Sequence, residues 1–180
     1  MRVKVALAIL AAFACARAQD AGPALEAART IVENAEYCFL ITVDAGGQPQ
    51  ARLMQPFPPE KDFTIWMGTH PKTRKVEQIR ANPKVTVAYQ DAKAPGYVTL
   101  IGTARVVDTI ETRKAHWRDD WGDFFPGGPA GPNYAVIEIK PQRIELISAA
   151  NEMVTAPGAP PVILERRGET WRLLAKPLLK

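Results

Sequence analysis

Between Pro23 and Ala35, Leu25, Ala28, Ile31 and Val32 recur at the spacing of one helix face, which predicts an amphipathic helix. The period then changes. Tyr37–Val43 is apolar and partly β-branched, Ala45-Gly46-Gly47-Gln48 has the composition of a hairpin turn, and Gln50–Gln55 resumes as a strand until Pro56 and Pro58-Pro59 break it. Asp62–Met67, with Phe63, Ile65 and Met67 alternating, reads as a third strand, Lys84–Gln90 as a fourth, and Tyr97–Val107 as a fifth after a turn at Lys93–Gly96. Between the third and fourth strands lies a short helix that starts at Pro71 or Thr73, puts Val76 and Ile79 on one face and stops at Asn82-Pro83. Residues 109–121 return to helix, a Pro/Gly-rich loop runs from Phe125 to Pro132, and Tyr134–Ile139 and Arg143–Ser148 read as sixth and seventh strands. Residues 151–162 carry little pattern, and Val162–Leu174 predicts a terminal hairpin around Arg167-Gly168. Many short strands joined by tight turns, with few helices, predict a mainly β fold: an antiparallel β-barrel with flanking helices.

The first eighteen residues stand apart. Arg2 and Lys4 make a basic start, Val5 to Ala14 is apolar, and Ala16-Arg17-Ala18 offers a small-x-small exit, the pattern of a Sec-type secretory signal cleaved after Ala18. This reading implies a secreted or periplasmic protein. It divides the chain into residues 1–18 as signal, 19–150 as the barrel domain and 151–180 as a C-terminal extension. Cleavage also changes the charge. Lys+Arg falls from 23 to 20 against 19 acids, so the net charge drops from +4 to +1 and a nucleic-acid partner loses its support. Cys38 is the one cysteine left, in the apolar run Tyr37–Ile41, where it reads as a small buried hydrophobe. No other apolar run approaches membrane-spanning length.

The most informative chemistry is at the start of the second helix. Lys72, Arg74 and Lys75 crowd a helix N-terminus, where the macrodipole is already positive and carboxylates are preferred. An anion resolves the conflict, because free N–H groups, a threonine hydroxyl and cations would converge on it. A solvated basic surface costs only about a few tenths of a kcal/mol per like-charged pair, so both readings stay open from this segment alone. Arg52, inside the second strand on the face of Met54, is either solvent-facing or a further cation for the same anion. Other chemistries find little support. His70 and His116 have no partners at metal-ligand spacing, no Gly-x-Ser-x-Gly occurs, and Asp119, Asp120 and Asp123 read as a solvated helix face.

Several segments in order resemble a known family: Ala51-Arg52-Leu53-Met54, then Gly68-Thr69 with Thr73-Arg74-Lys75, then Asn82-Pro83-Lys84-Val85, then Ile101-Gly102-Thr103-Ala104. Together they are similar to the FMN-binding split β-barrel of the pyridoxamine 5'-phosphate oxidase-like superfamily. The segment from Trp117-Arg118-Asp119-Asp120-Trp121 to Gly131-Pro132-Asn133-Tyr134 resembles its general stress protein branch. The resemblance implies an antiparallel, Greek-key-like split barrel and a homodimer with flavin sites at its interface. By the same analogy, Arg52, Thr73, Arg74 and Lys75 hold the FMN phosphate, while Leu53, Met54 and Gln55 run along the isoalloxazine. Met67, Gly68 and Thr69 line the flavin, Tyr97 lies near it, and Trp121 could reach a site on either subunit. The implied function is FMN-dependent redox chemistry on a small molecule. Oxidation of pyridoxamine phosphate itself is not expected, because no counterpart of the family's C-terminal Trp and Arg-x-His substrate elements is found. An alternative is a non-catalytic module holding haem or a phosphorylated metabolite in the same pocket.

Overall fold

The computed structural model describes residues 20–175, so the proposed signal segment lies outside the described residues. Helix α1 (Gly22–Asn34) packs Ala24, Ala27, Ala28, Ile31 and Val32 into the core, and Pro23 in its first turn needs no N–H partner. Strands β1 (Cys38–Val43) and β2 (Pro49–Met54) form a hairpin with Leu40 opposite Arg52 and Phe39 opposite Leu53. Its turn is closed by Asp44, whose Oδ1 accepts from the backbone N–H of Gly46 and of Gln48, both at 2.9 Å, while Gly47 takes φ +83°.

Strand β3 (Ile65–Thr69) is followed by α2 (Arg74–Ala81), β4 (Lys84–Gln90), β5 (Gly96–Val107), α3 (Ile110–Ala115), β6 (Ala135–Ser148), β7 (Val162–Arg167) and β8 (Thr170–Ala175). All pairings are antiparallel, in the order β2-β1-β4-β5-β6-β7-β8, and β3 pairs with the first part of β6. The ladder does not close into a continuous cylinder. A single bridge between Pro56 and Met67 brings the exit of β2 against β3, and the gap between these two strands is where the barrel is split. Inside, Leu40, Ile65, Met67, Val87, Leu100, Ile137, Ile139, Ile144 and Leu146 form one core under α1.

Three elements differ from the pattern-based expectation. The third strand begins at Ile65 rather than Asp62, because the Asp62 carboxylate accepts from Thr64 N–H and the buried Phe63 sits at φ +67°, a turn conformation that hydrophobic alternation does not reveal. The helix expected over 109–121 stops at Ala115. A one-turn 3₁₀ segment at Asp119–Trp121 follows: the backbone leaves helical dihedrals at His116 and Arg118, and the Tyr134 hydroxyl donates to the His116 carbonyl. The sixth and seventh strands are one strand, β6, running through Pro141 at a bulge opposite Gly102. A Cβ on Gly102 would meet the Lys140 carbonyl oxygen at 2.1 Å, so glycine is required where the proline interrupts the ladder.

The terminal hairpin β7–β8 turns at Gly168 with φ +63° and extends the same sheet from β6. It is anchored on the barrel: Leu173 is buried, Trp171 meets Phe63 edge to face, and Arg166 pairs with Asp62 at 2.9 Å.

Candidate functional site

Alternation along β2 decides where its arginine goes. Arg52 lies opposite the fully buried Leu40 and so points to the inner side of the sheet, toward α2, while Leu53 points outward. Arg52 Nη1 donates to Thr42 Oγ1 at 2.6 Å and Nη2 to Gln78 Oε1 at 3.1 Å. On α2, Thr73 is the extended residue before the helix, but its hydroxyl does not cap the helix. It donates to the His70 carbonyl at 3.1 Å and lies 3.5 Å from Lys75 Nζ. The Val76 and Glu77 N–H groups bond to the Thr73 carbonyl, which leaves the N–H groups of Arg74 and Lys75 without partners among the described residues.

Arg52, Thr73, Arg74 and Lys75 together line a hollow of about 220 Å³. None of its three cations forms an ion pair with a carboxylate among the described residues. Burial, and then the charge of Arg52, hold the half-buried Lys75 ammonium below the usual lysine range, and burial followed by the charge of Arg74 lowers Arg52. Each cation would gain from an anion in the hollow.

Thr73 and Lys75 also border a larger cavity of about 380 Å³ in the split between β2 and β3. One side is the strand end Leu53-Met54-Gln55, the other Gly68-Thr69-His70, and the far wall is Trp121, Phe124 and Phe125. Gly68 is there for steric reasons: an added Cβ would lie 2.3 Å from the Trp121 ring and 2.9 Å from Tyr134. Trp121 in turn sits in an aromatic cluster with Trp117, Phe125 and Tyr134, every pair edge to face with centroids between 4.9 and 6.3 Å. His70 borders the cavity with both ring nitrogens engaged, Nδ1 accepting from Lys72 N–H at 3.2 Å and Nε2 lying 3.3 Å from Asn133 Oδ1. These contacts tie the ring to Lys72, just ahead of α2, and to Asn133.

The structure thus brings together Arg52, Leu53, Met54, Gln55, Gly68, Thr69, Thr73, Arg74 and Lys75 around two adjoining hollows, with Trp121 in the wall. It does not bring in two others. The Met67 side chain is fully buried in the barrel core, and Tyr97 is 36% exposed on the outer face of β5, opposite Ile147. Pattern reading passes over Gln78 and Thr42, which hold Arg52. The signal for Thr42 was available, since it breaks the inward series Cys38, Leu40, Thr42, and a buried hydroxyl has to find a partner. Phe125 reads as the start of a Pro/Gly-rich loop and Phe124 carries no pattern, because nothing local shows that this segment folds over the split.

Comparison with known proteins decides what this architecture is. The family model described as pyridoxamine 5'-phosphate oxidase matches residues 24–148. The chain belongs to this family. It is 30% identical to general stress protein 26 of Bacillus subtilis (strain 168) over 109 residues, 59% of this chain and 76% of that protein. The crystal structure of general stress protein 26 from Bacillus anthracis str. Sterne superposes with a TM-score of 0.59 at 25% identity, covering 68% of this chain and 92% of that one. A pyridoxamine 5'-phosphate oxidase-related, FMN-binding protein from Nostoc punctiforme shares the fold, with a TM-score of 0.57 at 16% identity over 86% of this chain and 94% of its own. The family match covers both walls of the split, from Arg52 to Tyr134. The residues present fit a flavin mononucleotide: uncompensated cations and free N–H groups suit a phosphate monoester, and the slot beside them is bounded by strand backbone and aromatic rings.

Proposed function

We propose that the chain is an exported, homodimeric FMN-binding flavoprotein that carries out oxidoreductase chemistry on a small molecule. The observation that carries this reading is the hollow of Arg52, Arg74 and Lys75, without a carboxylate, adjoining a slot of about 380 Å³ walled by strand edges and aromatic rings. Bound flavin would supply the electron-transfer chemistry. The chain's own residues do the rest. Arg52, Arg74, Lys75 and the free N–H groups at the helix start hold the phosphate. The Leu53–Gln55 and Gly68–Thr69 edges orient the ring, and Trp121 with Phe125 keeps water from the far wall.

Homodimer formation is supported by the outer face of the sheet. Leu53 and Phe39 lie side by side across β2 and β1, 58% and 51% exposed, and Ile41 and Ile101 continue the same face. Tyr97 lies on this face too, so its route to a flavin runs through a second copy. Export is supported by the basic start, apolar run and small-residue exit of residues 1–18.

Purified mature protein should take up FMN at micromolar concentration, read as a shifted and quenched flavin spectrum, and should run as a dimer in light scattering. Absence of flavin binding at that concentration would overturn the function. N-terminal sequencing of the exported protein should begin at Gln19.

A further inference from the structure

Beneath the cationic hollow lies a polar relay that the flavin reading does not by itself require. Thr42 is fully buried and Gln78 nearly so, on different elements, and both accept from the Arg52 guanidinium. The Thr42 hydroxyl donates onward to Gln78 Oε1 at 2.5 Å, Gln78 Nε2 donates to Gln50 Oε1 at 3.1 Å, and Gln50 Nε2 donates to Asp44 Oδ2 at 2.8 Å. Two side-chain amides, Gln78 and Gln50, thus tie α2, β2 and the β1–β2 turn to a single arginine.

The chemistry of the acceptors is informative. A guanidinium in a partly buried place is ordinarily held by a carboxylate, which fixes its geometry and cancels its charge. Here the immediate acceptors are a hydroxyl and an amide oxygen, both neutral. The one carboxylate of the relay, Asp44, stands at its far end, with Oδ1 bound by the turn N–H groups. Arg52 is therefore oriented without being neutralised. Two of its five N–H donors are used below, and Arg52 lines the hollow it shares with Thr73, Arg74 and Lys75.

We propose that Gln78 and Thr42 are positioning residues that aim an uncompensated Arg52 at a phosphate monoester and so set the preference of the site for FMN over unphosphorylated riboflavin. This rests on the hollow being the phosphate site, as read above. Neither residue touches the ligand. They act through Arg52, and a carboxylate in place of Gln78 would hold the arginine as firmly while competing with the phosphate for it.

The test compares FMN, riboflavin and inorganic phosphate as probes on the mature protein, with circular dichroism confirming the fold of each variant. Wild type should bind FMN far more tightly than riboflavin. Gln78→Met and Thr42→Val should each weaken FMN about tenfold, the scale of one charge-assisted hydrogen bond, while leaving riboflavin unchanged. Gln78→Glu should weaken FMN more than Gln78→Met does, and Thr42→Ser, which keeps the hydroxyl, should behave as wild type. Equal losses for FMN and riboflavin in the two deletion variants would show a merely structural role and overturn the proposal, as would unaltered FMN affinity. Should wild type bind neither flavin yet be stabilised by inorganic phosphate, with Gln78→Met abolishing that stabilisation, the flavin function falls and the positioning role stands. Absence of any phosphate effect overturns both.

Discussion

The two walls of the split are built on opposite principles. The wall of Trp117, Trp121, Phe125 and Tyr134 is packed edge to face and includes a glycine, Gly68, whose missing side chain makes room for an indole. The opposite corner gathers Arg52, Arg74 and Lys75 at the positive end of a helix and answers them only with neutral oxygens. The first wall stabilises the fold whether or not anything is bound. The second is locally unfavourable until an anion arrives. On the proposed function, rigidity comes from one side and affinity from the other, and substitutions on the two sides should separate stability from binding.

Truncating Trp121 to Ala should break the stable wall, lowering unfolding free energy by about 3–5 kcal/mol, the range for large buried aromatics. Thermal or urea denaturation checks this, and a change under about 1 kcal/mol would mean that the cluster does not bear on the fold. On the opposite wall the double substitution Arg74→Ala with Lys75→Ala should do the reverse. FMN binding should weaken by about 3 kcal/mol or more, since charge-assisted hydrogen bonds contribute about 1.5–3 kcal/mol each. The stability of the ligand-free protein should stay within about 0.5 kcal/mol, because repulsion is removed along with the charges. Flavin titration beside urea denaturation reads both; unchanged affinity would refute the phosphate assignment. Gly68→Ala should cost about 1–3 kcal/mol by overpacking against Trp121, and the paired variant Gly68→Ala with Trp121→Phe should recover part of it.

A smaller effect concerns pH. Because burial and Arg52 hold Lys75 below the ordinary lysine range, a bound phosphate should raise it again. Affinity for FMN should therefore fall as pH rises through the lowered value, starting below the usual 10.5. It should also fall on the acid side as the phosphate loses its second charge near about pH 6. Lys75→Arg should keep the acid limb and remove the alkaline one. At the core, burial pushes the Cys38 thiol up to about 12, so a thiol reagent at pH 8 should label it only in denaturant.

Much of this molecule could be read along the chain. Alternation locates β1, β2, β4 and β5 to within a residue or two, and the basic start of α2 leaves an anion site and a solvated surface both open. What escaped is instructive. The turn at Phe63 rests on a Thr64 N–H captured by Asp62, and at the end of α3 the His116 carbonyl accepts from the hydroxyl of Tyr134, from another part of the chain. Met67 followed its strand neighbours Gly68 and Thr69 in the family analogy, yet alternation places its side chain inside the barrel. Gln78 carries no signal in the pattern, because nothing local shows that Arg52 and Thr42 come within hydrogen-bond reach of it.

The sequence by itself determined the local matters: where the chain alternates, where it turns, where cations crowd a helix start, and which glycines and prolines interrupt strands. These depend on neighbours within a few residues, whose energies are the same wherever the segment lies. Tertiary structure alone decided that Arg52 turns inward to meet α2, that neutral oxygens rather than a carboxylate hold it, and that a loop some fifty residues after Gly68 supplies the aromatic wall opposite. Such contacts join residues from separate elements, and they exist only once β2, β3, α2 and the aromatic loop converge around the split.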